Sequence, residues 1–134
     1  MRTLTKSEMW DAILAFNAQA AALWNEGKLE EFCDRYAFYA TYVSKETGYL
    51  RSRAAILAHY EQAYPDRSRM GTLVVTTQEL RFPLHDEQHV SMAVGVLKWS
   101  VHAPDNTIPE EGWSMVTYAL RHEAEIEVVQ DCTV

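Results

Sequence analysis

The 134-residue sequence holds only two cysteines, Cys33 and Cys132, which excludes a disulfide framework and a four-cysteine zinc site. Both are expected to act as small buried apolar residues. Basic residues are also scarce, 12 against 19 acids, for a formal charge of −7 and an isoelectric point near 5.1. Nucleic-acid binding needs a concentrated basic patch to displace counterions, and the short Arg51-Ser52-Arg53 cluster is balanced by acids elsewhere. No nucleic-acid partner is expected. No apolar run approaches the roughly 20 residues that span a bilayer. The opening MRTLTKSEMW lacks the apolar core of a secretory leader. A cytoplasmic protein with no membrane partner is expected. No serine-histidine-aspartate set, phosphate-cradling glycine loop or dinucleotide fingerprint occurs, so no cofactor is predicted.

What is present reads as one globular unit over residues 1–134, with 48% hydrophobic and 23% charged residues and neither an internal repeat nor a low-complexity linker. Thr5 and Glu8 form a capping-box pattern, and Met9, Ile13, Phe16, Ala20 and Leu23 then recur on one helical face. Gly27 supplies the stop. Leu29, Phe32, Cys33 and Tyr36 continue the period as a short second helix. From Phe38 the aromatic and β-branched run FYATYV, with a turn at Thr47-Gly48 before Tyr49 and Leu50, predicts a hairpin. Ser52 is the N-cap of a third helix through AAILAHYEQAY, which Pro65 ends.

After Gly71 the helical period disappears. Four strands are predicted, at about Thr72 to Phe82, Val90 to His102, Trp113 to His122 and Ile126 to Thr133. Their short links require antiparallel pairing. Along HVSMAVGVLKWSVH, Val90, Met92, Val94 and Val96 fall on one side, and Ala93, Leu97, Trp99 and Val101 on the other. Both faces are apolar. An antiparallel sheet with one wet face alternates apolar and polar residues, so each side needs a cover. The helices cover one, and a second copy of the chain is the natural cover for the other.

The ordered set LWNEGKLEEF, AAILAHY followed by YP, MGTL, GVLKWSV, GWSMV and EVVQDCT resembles the nuclear transport factor 2-like superfamily, and within it the SnoaL-like and other small bacterial members. Relatives commonly finish a tryptophan-led strand with Asp-His-Thr-Ser. Here Asp131 and Thr133 match, Cys132 replaces the histidine, Ile126 stands near the tryptophan, and Val134 takes the place of the serine. The resemblance implies an α+β fold: a cone-shaped roll of three N-terminal helices on a curved, mainly antiparallel sheet. It also implies an open mouth, an inner cavity and a homodimer through the outer sheet face. It does not select an activity, because one fold hosts many.

A carboxylate in such a cavity is desolvated, so its pKa rises and it becomes a general base or a neutral donor. Asp131 is the candidate for that role; its bland alternative is a strand-end carboxylate bonded to amides or a hydroxyl. His59, at the edge of the cavity face of the third helix, is the candidate orienter, with His102 behind it. Tyr60 is the first choice for a pocket hydroxyl. Trp24, Tyr64, Trp99, Trp113, Met115 and Tyr39 are candidate wall residues, each with core packing as its bland alternative. His85 and His89 have helical zinc spacing but fall in a turn, so no metal is expected there. His122, at a hairpin end, is expected to be exposed.

Three functions follow. The first is a small-molecule-binding domain with an apolar, aromatic-lined cavity that takes a small apolar or aromatic ligand. The second is an isomerase, dehydratase or cyclase using Asp131 as general acid or base. The third is a non-catalytic dimerisation module.

Overall fold

Helix α1 (Lys6–Asn25) starts on the expected capping box: Thr5 Oγ1 accepts from the Glu8 amide at 3.1 Å, and Glu8 Oε1 accepts from the Thr5 amide at 2.9 Å. The structure, a computed structural model, describes residues 3–83, 86–105, 108–121 and 125–134. His85 and His122 lie outside the described residues. The stripe that α1 buries is Met9, Ile13, Asn17, Ala20 and Trp24. It is centred one residue later than the sequence pattern suggests, so Phe16 and Leu23 sit at its edge. Gly27, with φ of +73°, turns the chain into α2 (Leu29–Cys33), which buries Leu29, Phe32 and Cys33.

Strand β1 (Tyr36–Ser44) begins at Tyr36, ahead of the predicted Phe38, and pairs with β2 (Gly48–Arg51) as the expected antiparallel hairpin. Ser52 caps α3 (Arg53–Ala63), its Oγ accepting from the Ala55 amide at 3.1 Å. The remaining strands are β3 (Thr72–Arg81), β4 (Met92–His102), β5 (Glu110–Leu120) and β6 (Ile126–Thr133). Strand β5 takes in Glu110, Glu111 and Gly112, ahead of the predicted start at Trp113.

One six-stranded sheet runs β2-β1-β6-β5-β4-β3. The meander β3 to β6 pairs antiparallel as its short links require, whereas β1 pairs β6 in parallel. The result is an α+β arrangement of helices against a curved, mostly antiparallel sheet. Its core gathers Met9 and Ile13 of α1, Ile56 of α3, and Tyr36, Tyr118 and Val128 of the sheet.

Two irregularities decide which side chains face inward. In β6, Gln130 pairs Thr117 while Val128 pairs Tyr118, so Val129 is an extra residue, a β-bulge. Val128 and Asp131 are both buried in consequence, although three positions apart they would lie on opposite faces of a regular strand. In β1 the register jumps between Tyr36, opposite Val128, and Thr41, opposite Gln130. Phe38 and Tyr39 lie within that jump and are exposed.

The outer sheet face carries a row of paired side chains: Val96 opposite Met115, Met115 opposite Cys132, Cys132 opposite Val43, and Val43 opposite Tyr49. Cys132 is exposed, which corrects the expectation that both cysteines are buried; the Val129 bulge turns it outward. Among the described residues no helix is long and apolar enough to cross a membrane.

Candidate functional site

A cavity of about 730 Å³ lies between the helices and the inner face of the sheet. Its inner end is built around Asp131, which the Val129 bulge aims inward between Tyr42 of β1 and Val116 of β5. The carboxylate is 5% exposed and held by two hydroxyls: Tyr36 Oη donates to Oδ2 at 2.8 Å, and Thr133 Oγ1 donates to Oδ1 at 3.2 Å. Arg35 Nη2 donates to Tyr36 Oη at 3.1 Å. With the Thr133 proton committed to Asp131, Ser114 Oγ is the donor in its 2.9 Å bond to Thr133. The chain of donors therefore runs from Arg35 through Tyr36 and from Ser114 through Thr133, and both arms converge on Asp131.

Burial pushes the Asp131 carboxyl above its ordinary pKa, while Arg35, Tyr36 and Thr133 pull the other way. Burial outweighs the three partners. The Arg35 guanidinium lies over the rings of Phe32, at 4.4 Å, and Tyr36, at 4.7 Å. Burial opposes its charge, but the oxygens of Tyr36 and Asp131 more than offset that, and its pKa lies above the ordinary arginine value. Arg35 Nε is buried and has no hydrogen-bond partner among the described residues. Burial likewise raises the phenols of Tyr36 and Tyr60 well above the usual tyrosine range. All of these hydroxyls are protonated donors at neutral pH.

Aromatic rings form the wall. Trp24 donates its indole N–H to the Met70 carbonyl at 3.1 Å and packs edge-to-face on Phe32, Tyr60 and Tyr64, with centroids 5.1, 5.7 and 5.2 Å away. His59 and Tyr42 stand beside Tyr60, at 5.2 and 6.2 Å. Leu97 and Trp99 of β4 complete the sheet side. A second polar group enters from α1: Asn17 accepts from Tyr118 Oη at 2.9 Å and donates to Thr77 Oγ1 at 3.3 Å. The mouth carries Lys45, Glu46, Glu110 and Glu111.

Of the residues predicted from sequence, Asp131, His59, Tyr60, Trp24, Tyr64 and Trp99 all line this cavity. Three predicted wall residues do not. Trp113 and Met115 are 45% and 58% exposed, because Ser114, Val116 and Tyr118 hold the inward parity of β5. Tyr39 is 64% exposed where β1 leaves register with β6. The expected Asp131–His59 pairing is replaced by Tyr36 and Thr133 on the carboxylate. His102 is exposed at the end of β4, and His89 binds Asp86 at 2.8 Å on the surface.

Sequence reasoning missed Arg35 and Asn17, took Tyr42 only as one of the strand aromatics and placed Tyr36 on the face of the second helix, where the structure has it open β1. Asn17 was findable as a polar residue at a core position of an apolar helical stripe. Arg35 and Tyr36 sit at the junction of α2 and β1, where the helical period has ended and the strand has begun.

This fold recurs in solved structures. An NTF-2-like protein of unknown function from Shewanella oneidensis superposes with a TM-score of 0.79 at 19% identity, over 92% of this chain and 96% of that one. The chain has the nuclear transport factor 2-like fold. A domain of unknown function with a cystatin-like fold from Nostoc punctiforme matches with a TM-score of 0.75 at 20% identity, over 92% of this chain and 75% of that one. A protein from Catenulispora acidiphila, solved in complex with S-DNPA, matches with a TM-score of 0.71 at 11% identity, over 95% and 92% of the two chains. No family model and no curated sequence matches. At these identities the nuclear transport factor 2-like likeness concerns the fold.

Proposed function

We propose that the chain binds a small, uncharged, largely aromatic molecule in this cavity. The observation that carries the reading is the division of the lining: Trp24, Tyr60, Tyr64 and Trp99 along the wall, with Arg35 and Asp131 at the inner end. Rings supply apolar burial, and a few convergent polar groups orient the ligand. Arg35 offers donors and no acceptor, and a charged Asp131 offers the reverse. A phenol or carboxamide, with an acceptor beside a donor, satisfies both at once. A charged ligand end meets one like and one unlike charge there, which favours neither sign. That a fold-mate was solved in complex with S-DNPA supports ligand binding as such.

Thermal unfolding with phenol, 2-naphthol and 2-naphthamide tests it. A ligand at about 100 times its Kd stabilises by roughly 2.7 kcal/mol, so the midpoint rises by several degrees. A flat response across these compounds removes the reading.

The raised pKa of Asp131 favours a second reading, proton transfer next to a carbonyl, in which Asp131 takes the proton and Tyr60 donates to the developing oxyanion. Deuterium exchange at the α-carbon of 2-tetralone, followed by NMR, tests this. Exchange that persists in Asp131→Asn rules it out.

The row of Val43, Val96, Met115 and Cys132 supports pairing of two copies through the outer face, with Trp113 beside it. Exposed apolar residues in a contiguous patch mark interaction surfaces.

A further inference from the structure

Gly112 of β5 lies directly opposite Trp99 of β4. It is not one of the left-handed glycines, which are Gly27, Gly48 and Gly71, so backbone freedom does not explain it. Space does. A β-carbon on Gly112 would lie 2.4 Å from Trp99 Cζ2, 2.8 Å from Trp99 Cε2 and 2.6 Å from the Val134 carbonyl oxygen. The indole rests on bare β5 backbone.

Trp99 is half-buried and faces the cavity, flanked on β3 by Val75, which also lines it. A side chain at 112 has two outcomes. It opens the β5 edge, where Trp113 N–H donates to Val134 O at 3.0 Å and Val134 N–H donates to Trp113 O at 2.9 Å. Otherwise it lifts the indole off the strand. Lifting relieves both contacts with the indole and leaves only the Val134 carbonyl to give way slightly, and the space on the other side of the ring is the open cavity, so the ring moves inward.

We infer that Gly112 sets the width of the cavity by letting the Trp99 indole lie against β5, and that the site thereby takes flat ligands of two or more fused rings. The inference rests on the binding reading for its ligand and adds the size and shape of that ligand. A flat ring stacks on the exposed indole face, and one that spans from Trp99 to the Trp24–Tyr64 wall needs the space the indole vacates.

The test uses wild type, Gly112→Ala, Trp99→Leu and the double variant, each labelled with 5-fluorotryptophan. The fluorine resonance lost in Trp99→Leu identifies Trp99. In Gly112→Ala that resonance shifts, 1-hydroxypyrene binds about tenfold more weakly, the scale of a small change in pocket volume, and phenol binds as before. The double variant binds 1-hydroxypyrene as Trp99→Leu does, since no indole remains for a side chain at 112 to displace. An unmoved Trp99 resonance, or equal weakening of both ligands, overturns the inference. If neither ligand binds wild type, the binding reading falls, and the resonance alone decides whether Gly112 positions the indole. If Gly112→Ala does not fold, a folded double variant identifies the indole as the obstruction. An unfolded double variant assigns it to Val134 and overturns the inference.

Discussion

The Tyr36 hydroxyl donates to Asp131 Oδ2 at 2.8 Å from 95 positions away in sequence, and accepts in turn from its neighbour Arg35. The phenol thus stands between a buried anion and a cation and fixes its own proton on the carboxylate side. The parallel pairing of β1 with β6 brings Tyr36 level with Val128, and the Val129 bulge then turns Asp131 toward it.

Removing Tyr36 Oη is expected to destabilise the protein. Tyr36→Phe leaves a buried carboxylate one donor short and Arg35 one acceptor short, a cost of about 1–3 kcal/mol. Asp131→Ala is expected to cost more, since it leaves both the Tyr36 and the Thr133 hydroxyl without their acceptor. Urea unfolding measures both. A Tyr36→Phe protein as stable as wild type contradicts the bonding described.

Asp131 also predicts a pH signature. Its folded pKa lies above the ordinary value of 3.8, so the folded state holds the proton more tightly than the unfolded chain. That contribution to stability is fully present below the ordinary value and is lost as pH rises through the raised one. Relative to Asp131→Asn, wild type should therefore lose stability as pH rises above the ordinary value of 3.8, measured by urea unfolding of both proteins. A difference that grows in favour of wild type over that range reverses the assigned sign.

The mouth predicts charge discrimination. Glu46 and Glu110 raise the pKa of Tyr64, after the larger effect of its burial, which puts both acids within electrostatic reach of the opening. At low salt the Glu46→Gln/Glu110→Gln double variant should bind 2-naphthoate several-fold more tightly than wild type does and 2-naphthol equally. The gain should fade as ionic strength rises past about 0.15 M, where the Debye length is about 8 Å. Titration calorimetry at two salt concentrations reads it, and an equal gain for both ligands refutes the electrostatic account.

On the outer face, Met115→Glu places a charge in the middle of the row that runs from Val96 to Val43. Wild type is expected to sediment as a dimer at micromolar concentration and Met115→Glu as a monomer, with an unchanged circular dichroism spectrum. A wild-type monomer ends the pairing proposal.

Elements that rest on local chemistry were legible in the sequence. The capping box at Thr5 and Glu8, the stop at Gly27 and the Ser52 cap each follow from neighbours within a few residues. The meander was legible because short links leave antiparallel pairing as the one arrangement. The parallel β1–β6 contact carries no such local mark, and with it went the partner of Asp131. Trp113 and Met115 were misplaced for a related reason: Met115 lies on an apolar outer face and Val116 on the apolar core, so alternation does not reveal the inward side of β5. Six of the nine predicted site residues nevertheless meet in one cavity: Trp24 from α1, His59 and Tyr60 from α3, Tyr64 from its C-cap, and Trp99 and Asp131 from the sheet.

The extra residue at Val129 makes the chemistry of the inner end a matter of counting. Iron the bulge flat with every residue kept and the downstream tail shifts by one: Gln130 arrives opposite Val116, and the acid turns to bulk water. An amide would then occupy the spot where a carboxylate now accepts protons, with no letter of the sequence altered.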